Sequence, residues 1–439
     1  MLFSLLLFHS SGLACKRKYI PQESFCLAIQ QSWMHQYLKL TKQSVGFSAP
    51  VAARAFNYVS IGSYETVVEL LPDNKSLTGQ LRDYQRSTWK EDEEINFPHA
   101  LNIASYTLAK FYFKNMPPAM STEIDNHYNS LYKTYKTHSK RSVLKRSEEY
   151  AKQIVNEVIE WSKTDGGFEA YDKNFPAEFQ PEMCTGCWLK THPGYKSALL
   201  PYWGQNKLLI PSNRKICDDI PYIPFSSEKD SEFYKEVDMI SQLYLNLTEE
   251  QEIIAEYWDD GPGVSGTPIG HLFSIGLQLS EDQNLSFQSV IELYTKLGIA
   301  LNDVVIEAWR LKYKYNLIRP ITYIQRYIRK DFNTAIVTPP FPEFPSGHSF
   351  QSGAGSEVLK DIFGNNLAFC DSTNVTRNDI DGSPRRYANF TEMSEEMSIS
   401  RFYGGIHYKH TLDVSLAYGR KIGVNTLNRI SLRLSLIHI

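Results

Sequence analysis

Three short polar islands interrupt helical sequence between Trp309 and His410, and they constrain the fold more strongly than any other feature of the chain. The first runs from Lys312 to Arg319, the second is Pro345-Ser346-Gly347-His348, and the third runs from Ser400-Arg401 to His407. Together they hold the cations, hydroxyl, backbone amide and imidazoles that suit a tetrahedral oxyanion. One such island alone is typical of a solvated helix face or a turn. The combination predicts helices that bring distant segments to one site.

The second island stands where a helix is predicted to begin. Ser346 is a typical N-cap residue, and the amides that follow it would aim a helix N-terminus at an anion. Gly347 has no side chain, so its backbone N–H can approach the anion closely. Of the two histidines, one can contact the central atom while the other moves protons.

The composition is that of an ordinary soluble protein, with 42% hydrophobic and 22% charged residues among 439. The chain is longer than the size at which a single core usually stops growing. Its formal net charge is −3, and no basic run is interleaved with aromatic residues. We therefore expect no nucleic-acid partner.

The spacing of apolar residues predicts an all-α protein. The predicted helices lie near residues 47–71, 99–113, 123–137, 147–162, 231–246, 248–258, 268–279, 285–313, 348–363 and 411–427. Helical periodicity fails from residue 166 to 224, where Pro, Gly, Trp and Tyr are frequent. We name this stretch the covering loop and predict that it covers the junction between two helical halves. Residues 370–392 are polar and predict a surface loop.

Four segments follow from this pattern. Residues 1–15 are expected to be a signal peptide, 25–240 an N-terminal helical bundle with the covering loop, and 245–433 a C-terminal bundle that carries the islands. Residues 434–439 resemble the translation of a transposon-end adapter used in sequencing libraries. We therefore expect them to be an artefact, with the natural C-terminus missing.

The apolar run at the N-terminus and the small residues before Cys15 resemble a secretory signal. This predicts export to the periplasm or cell envelope. The sequence does not decide whether Cys15 carries a lipid anchor, because Gly12 stands where a lipoprotein signal usually has Leu. Cys184 and Cys187 have the spacing of a metal knuckle, but no second pair follows at a zinc-ribbon distance. In an exported protein a disulfide, local or longer-range, is the better prediction.

The three islands together resemble the signature of the vanadium-dependent haloperoxidase and type 2 phosphatidic acid phosphatase superfamily. The resemblance covers roughly residues 245–428 and implies two packed helical bundles with long connecting loops. It implies vanadate as the cofactor, with His407 as the ligand of vanadium. The groups that would hold the vanadate oxygens are Lys312, Arg319, Ser346, the Gly347 amide and Arg401.

The resemblance also assigns the remaining catalytic roles. His348 would be the acid–base residue, and Lys312 would polarise an oxygen of the bound peroxide. The carboxylate that braces the second arginine looks like Asp260, with Asp259 as the alternative. A further histidine, His271, is expected to be a core or supporting group and not a ligand.

Trp309 and Phe341 match the pair that lines the halide pocket in chloroperoxidase-like members. They favour a haloperoxidase that oxidises a halide with hydrogen peroxide to hypohalous acid, which then reacts with a small organic acceptor. The pair leaves the halide open, because iodide-specific bacterial members carry a similar pair. An acid phosphatase acting through a phosphohistidine is the alternative, and a non-catalytic anion-binding protein is a third reading. No feature predicts an oligomeric state.

Overall fold

The computed structural model describes residues 22–89 and 93–434, which form fourteen α-helices and one two-stranded antiparallel sheet. The prediction of an all-α fold of helical bundles is confirmed. The expected signal peptide and residues 435–439 of the expected artefact lie outside the described residues. Within those ranges, no helix combines the length and the hydropathy that crossing a bilayer requires.

The N-terminal helices come first in the chain, and two of them continue into a 3₁₀ turn, Val68–Leu70 and Lys136–His138. They are α1 (Gln22–Gln43), α2 (Ala49–Val67), α3 (Phe97–Tyr112), α4 (Pro118–Tyr135) and α5 (Arg141–Ser162). The covering loop follows, with 3₁₀ turns at Ala170–Asp172 and Trp203–Gln205 and the short α6 (Asn213–Ile216).

The C-terminal helices follow the covering loop and carry all three islands. They are α7 (Glu232–Leu245), α8 (Glu249–Tyr257), α9 (Thr267–Asp282), α10 (Phe287–Tyr315), α11 (Pro320–Tyr327), α12 (Gly347–Phe363), α13 (Phe390–Tyr403) and α14 (Lys409–Arg429). The two strands are β1 (Phe369–Asp371) and β2 (Arg385–Tyr387), paired with Cys370 opposite Arg386.

Helix α10 is the element that connects the two groups, because it packs against α2 of the first and against α12 and α14 of the second. Its 29 residues are mostly buried. A Cβ atom at Gly298 would lie 2.9 Å from the Cα atom of Asn57, so a glycine is needed for α2 and α10 to approach this closely. One continuous hydrophobic core therefore includes residues from both halves.

Local signals account for most helix boundaries. Thr248 and Gln251 form the capping box of α8, and Ser346 caps α12. Helix α13 and the β1–β2 pair lie in or beside the stretch predicted as a surface loop, and α13 was not predicted. Its seam of Phe390, Met393 and Met397 is buried, but the serines and glutamates between them obscure that spacing in the sequence.

Candidate active site

Lys312 lies in the last turn of α10, and its side chain is completely buried. Its ammonium group donates to the carbonyl oxygens of Pro342 at 3.2 Å, Glu343 at 3.1 Å and Pro345. Burial, and then the neighbouring charge of Arg319, lower the pKa of Lys312 well below its usual range. The three carbonyl acceptors match the three N–H groups of the charged form. Lys312 thus joins the first island to the second and adds positive charge there.

Arg319 joins the first two islands to the third. Its Nε atom donates to the Phe341 carbonyl at 2.9 Å, and its Nη1 atom donates to the Ile406 carbonyl at 2.9 Å. The same Nη1 atom lies 3.2 Å from Nε2 of His407. Burial lowers the pKa of Arg319 to about 10, against the opposing effect of Glu343.

The tautomer of His407 follows from its two partners. A guanidinium group can only donate, so Nε2 accepts from Arg319 and carries a lone pair. Nδ1 therefore carries the proton and donates to Oε1 of Glu343 at 2.7 Å. Burial, followed by the charges of Arg319 and Lys312, lowers the pKa of His407 well below its usual range. The ring is neutral, and its unprotonated nitrogen lies beside the cations.

Glu343 is a fully buried carboxylate two residues before the second island. Besides His407, it accepts from the backbone N–H of Tyr408 at 3.2 Å and from the hydroxyl of Thr411 at 3.1 Å. Burial raises the pKa of Glu343 to about 7, and the charges of Arg319 and Lys312 oppose that rise. Its side chain ties the second island to the first turn of α14.

Ser346 and Gly347 begin α12 beside these groups. The Ser346 hydroxyl oxygen accepts from the N–H of Ser349 at 3.3 Å and from its hydroxyl at 3.0 Å. The Ser346 N–H donates to the hydroxyl of Ser415 on α14 at 3.0 Å. None of these contacts uses the hydroxyl hydrogen of Ser346. A Cβ atom at Gly347 would lie 3.8 Å from the Trp309 ring, so this amide borders the aromatic pair.

His348 and Arg401 meet at one backbone carbonyl. The Trp258 oxygen accepts from Nε2 of His348 at 3.0 Å and from Nη1 of Arg401 at 2.6 Å. Because a carbonyl only accepts, Nε2 of His348 carries its proton, and Nδ1 is the atom that can take up another. Burial, then the charge of Arg401, lower the pKa of His348 well below its usual range.

The structure corrects the prediction for Asp260. Among the described residues, the carboxylate that contacts Arg401 is Asp259, at 3.4 Å. Asp260 has a left-handed φ of 48°, and its carboxylate contacts Nδ1 of His271 at 2.9 and 3.1 Å. On its other side His271 lies 2.7 Å from Asp371. Burial lowers the pKa of His271, but the two carboxylates outweigh it and raise the pKa to about 10.

The two aromatic residues of the predicted halide pocket are in contact. The ring centroids of Trp309 and Phe341 are 5.1 Å apart. The Lys312 ammonium lies 4.8 Å and the Arg319 guanidinium 5.0 Å from the centroid of Phe341. This places an apolar surface directly beside two cations, which is an arrangement that suits a poorly hydrated anion.

The covering loop packs against this aromatic pair. The Leu199 carbonyl accepts from the indole N–H of Trp309 at 3.2 Å, and the Leu199 N–H donates to Pro340 at 2.9 Å. Nearby, a disulfide joins Cys184 to Cys187, so the disulfide predicted from the sequence is confirmed as a local one. The loop therefore lies over the end of α10 and the segment that leads into the second island.

Two buried guanidinium nitrogens at the site have no acceptor among the described residues. They are Nη2 of Arg319 and Nε of Arg401. A buried charged donor without an acceptor is costly, and native proteins rarely leave one unsatisfied. The charges of Arg319, Lys312 and Arg401 all act to lower the pKa of His407, so these three cations act on the same ring. An oxyanion would supply the missing acceptors.

Two polar groups of the site were not predicted from the sequence. Glu343 lies between Pro342 and Pro345, just before the second island, and this acidic residue was the available signal. Nothing in the sequence indicated that the Trp258 carbonyl belongs to the site, because every residue has a backbone carbonyl.

The C-terminal part of the chain, residues 292–434, matches the family model of the VCPO second helical-bundle domain. The crystal structure of the first bacterial vanadium-dependent iodoperoxidase is similar over 93% of this chain and 98% of its own, with 29% identity and a TM-score of 0.83. A holo bacterial vanadium-dependent chloroperoxidase is similar over 88% and 92%, with 16% identity and a TM-score of 0.67. The apo form of a bacterial vanadium-dependent chloroperoxidase has 14% identity and a TM-score of 0.64 over 87% and 94%. No curated protein matches the sequence.

Proposed function

We propose that this chain, a member of the vanadium-dependent haloperoxidases, oxidises a halide with hydrogen peroxide. In the net reaction a halide ion, hydrogen peroxide and a proton give hypohalous acid and water. The hypohalous acid then oxidises a small organic acceptor. The proposal rests chiefly on the neutral His407, whose unprotonated Nε2 lies 3.2 Å from Arg319. In the same site, one buried nitrogen of Arg319 and one of Arg401 have no acceptor among the described residues.

The residues present fit vanadate. The unsatisfied nitrogens of Arg319 and Arg401 would donate to its oxygens, together with the Ser346 hydroxyl and the Gly347 amide. Lys312 would contribute positive charge without donating to vanadate, because its N–H groups are bound to three carbonyl oxygens. His407 would bind vanadium through Nε2. When bound, vanadate supplies a Lewis acid that activates peroxide toward attack by halide.

His348 would handle the proton of hydrogen peroxide. Its Nε2–H is bound to the Trp258 carbonyl, so Nδ1 is the nitrogen that accepts the proton. Its low pKa keeps the ring neutral and therefore able to act as a base at neutral pH. The carbonyl of Trp258 fixes the plane of the ring during the transfer.

The pair Trp309 and Phe341 would strip water from the halide beside Lys312. A halide that loses hydration becomes a stronger nucleophile, while the nearby ammonium offsets part of the cost of desolvation. The 29% identical neighbour is an iodoperoxidase, so iodide is the first halide to test.

The direct test is peroxide-dependent halide oxidation by vanadate-free protein before and after orthovanadate is added. We expect activity to require vanadate and to saturate with it, measured with iodide, bromide and chloride in turn. The His407→Ala protein, given the same additions, is the inactive control.

The acid phosphatase alternative predicts the opposite response to vanadate. Hydrolysis of a phosphate monoester that vanadate inhibits, with no oxidation of any halide, would overturn the haloperoxidase proposal. It would assign His407 to nucleophilic attack on phosphorus.

We further propose that the protein is exported. Two observations support this: the apolar N-terminal run, which lies outside the described residues, and the Cys184–Cys187 disulfide, a bond that persists in oxidising compartments. Mass spectrometry of the cell-envelope fraction would identify the mature N-terminus and any lipid on Cys15. Full-length protein in the cytoplasm would contradict export.

A further inference from the structure

The carboxylate of Glu343 contacts His407 but has no assigned role in the proposed reaction. It is fully buried, and it accepts a hydrogen bond from Nδ1 of His407 at 2.7 Å, whereas Nε2 of the same ring faces Arg319. We propose that Glu343 is the positioning residue that fixes the tautomer of His407 and holds its Nε2 lone pair ready for vanadium. This inference rests on the proposed function.

The surroundings of Glu343 hold the carboxylate rigidly. Oε1 also accepts the N–H of Tyr408, and Oε2 accepts the hydroxyl of Thr411, so both oxygens are anchored to the start of α14. The Glu343 backbone carbonyl accepts from Lys312. With its side chain and main chain both held, the carboxylate can orient the imidazole ring and not merely follow it.

The charge of Glu343 distinguishes a ligand that bonds to His407 from a simple anion. A negative charge at this depth opposes the binding of any anion to the neighbouring cations. Its presence is therefore unfavourable for a simple oxyanion cage. A ligand that forms a bond with His407 gains from it, because the carboxylate makes the imidazole a better donor of its lone pair.

The test compares two tetrahedral anions on vanadate-free full-length protein, with orthovanadate and inorganic phosphate titrated separately by calorimetry. In Glu343→Gln, which keeps an acceptor for Nδ1–H but loses the charge, we expect vanadate affinity to fall about tenfold. In Glu343→Ala, which loses the acceptor as well, we expect a fall of roughly 100-fold. Phosphate forms no bond with the ring, so its affinity should be unchanged or higher in both variants.

Two further proteins complete the design. Glu236 accepts the N–H of His410 at 2.8 Å, so Glu236→Gln alters a carboxylate at the same end of α14 without touching His407. We expect this control to bind both anions like the wild type. In a His407→Ala background, Glu343→Gln should cause no further loss of vanadate affinity, because the residue it positions is gone.

Equal changes in vanadate and phosphate affinity would assign Glu343 a general structural role and overturn the proposal. The proposal would also be overturned if Glu343→Gln lowered vanadate affinity in the His407→Ala background by the same factor as in the wild type. If the wild type and both Glu343 variants all bind vanadate tightly, this inference is contradicted, but the proposed function is not. A wild-type protein that does not prefer vanadate to phosphate would overturn the proposed function together with it.

Discussion

His407 and Lys312 are both buried in the cationic site, but they use their hydrogen bonds differently. Every N–H of the Lys312 ammonium has a carbonyl acceptor, so this side chain contributes charge and holds the second island in place. His407 keeps one nitrogen without a proton, and that nitrogen lies 3.2 Å from a guanidinium donor. Of these two side chains, His407 is therefore the one that can form a bond to a metal.

This difference predicts unequal effects of two substitutions on vanadate binding. His407→Ala should weaken it by more than about 100-fold, since even outer-shell changes at metal sites cost roughly 10–100-fold. Lys312→Ala should weaken it by about tenfold, the effect of losing one charge-assisted interaction. Equilibrium titration with orthovanadate measures both. Equal losses in the two variants would show that His407 acts only as one more polar contact.

The electrostatics of His348 predict how peroxide use depends on pH. Burial and the charge of Arg401 lower its pKa well below 6.5, so the neutral base persists as the solution becomes acidic. The kcat/KM for peroxide should decline only well below pH 6.5, and His348→Ala should reduce turnover by roughly 10²–10⁴-fold. An acidic limb at or above pH 6.5 in the wild type would contradict the assigned role.

Residue types in the site were predictable, whereas their partners were not. The order and spacing of the islands identified Lys312, Arg319 and Arg401 as one cationic group, and the structure brings the islands together. The choice between Asp259 and Asp260 depends on a single left-handed φ at Asp260. A rotation of one residue in a turn has no periodic signature in the sequence, so that prediction was wrong.

At the scale of elements, the second and third islands depend on how closely α12 approaches α14. A Cβ atom at Gly419 would lie 2.3 Å from the Phe350 carbonyl oxygen, and one at Gly353 would lie 2.5 Å from the Leu416 oxygen. Both glycines therefore permit contact between the two helix backbones. The hydrogen bond from Ser346 to Ser415 spans the same interface.

Substituting Gly419 should accordingly disturb the site from a distance. Gly419→Ala should lower the free energy of unfolding by about 1–3 kcal/mol, the usual cost of overpacking, and weaken vanadate binding. Gly276→Ala in α9 is the matched control, because its Cβ would meet only a Leu293 methyl at 3.4 Å. Thermal unfolding measures the first effect. A wild-type melting temperature in Gly419→Ala would show that α12 and α14 can separate freely.

The spacing of apolar residues predicted some helices as elements, whereas α1, α11 and α13 were not predicted. Helices α2, α3 and α5 lie close to their predicted positions. Helix α13 buries a narrow seam between polar residues, so tertiary packing supplies what its local sequence lacks. Strands β1 and β2 also contact elements outside their loop, Asp371 through His271 and Arg385 through Glu250.

At the scale of the whole molecule, α9 is tied to two distant segments through His271. The ring lies between Asp260 in the turn after α8 and Asp371 in β1, and all three side chains are buried. Tyr257 adds a hydrogen bond to Asp371 at 2.9 Å. A charged imidazole between two carboxylates stabilises this junction only while it keeps its proton.

The junction predicts a stability that falls in alkaline solution. The folded pKa of His271, about 10, exceeds the unfolded value, so its contribution is complete below about pH 6.5 and is lost as pH rises through 10. Chemical unfolding across this range should show that the free energy of unfolding of the wild type declines as pH rises. We expect His271→Gln to lack this decline and to be less stable than the wild type throughout. The exposed His35→Gln is the control and should keep the wild-type decline. A wild-type stability that is flat from pH 6.5 to 10 would contradict a charged His271.

In the proposed function, the three islands hold one vanadate ion with His407 as its protein ligand. Anomalous diffraction at the vanadium edge, from crystals grown with orthovanadate, tests this most directly. We expect one strong anomalous peak at bonding distance from Nε2 of His407, with oxygens bound to Arg319 and Arg401. An anion that binds there without a bond to Nε2, or a vanadium peak elsewhere in the molecule, would contradict it.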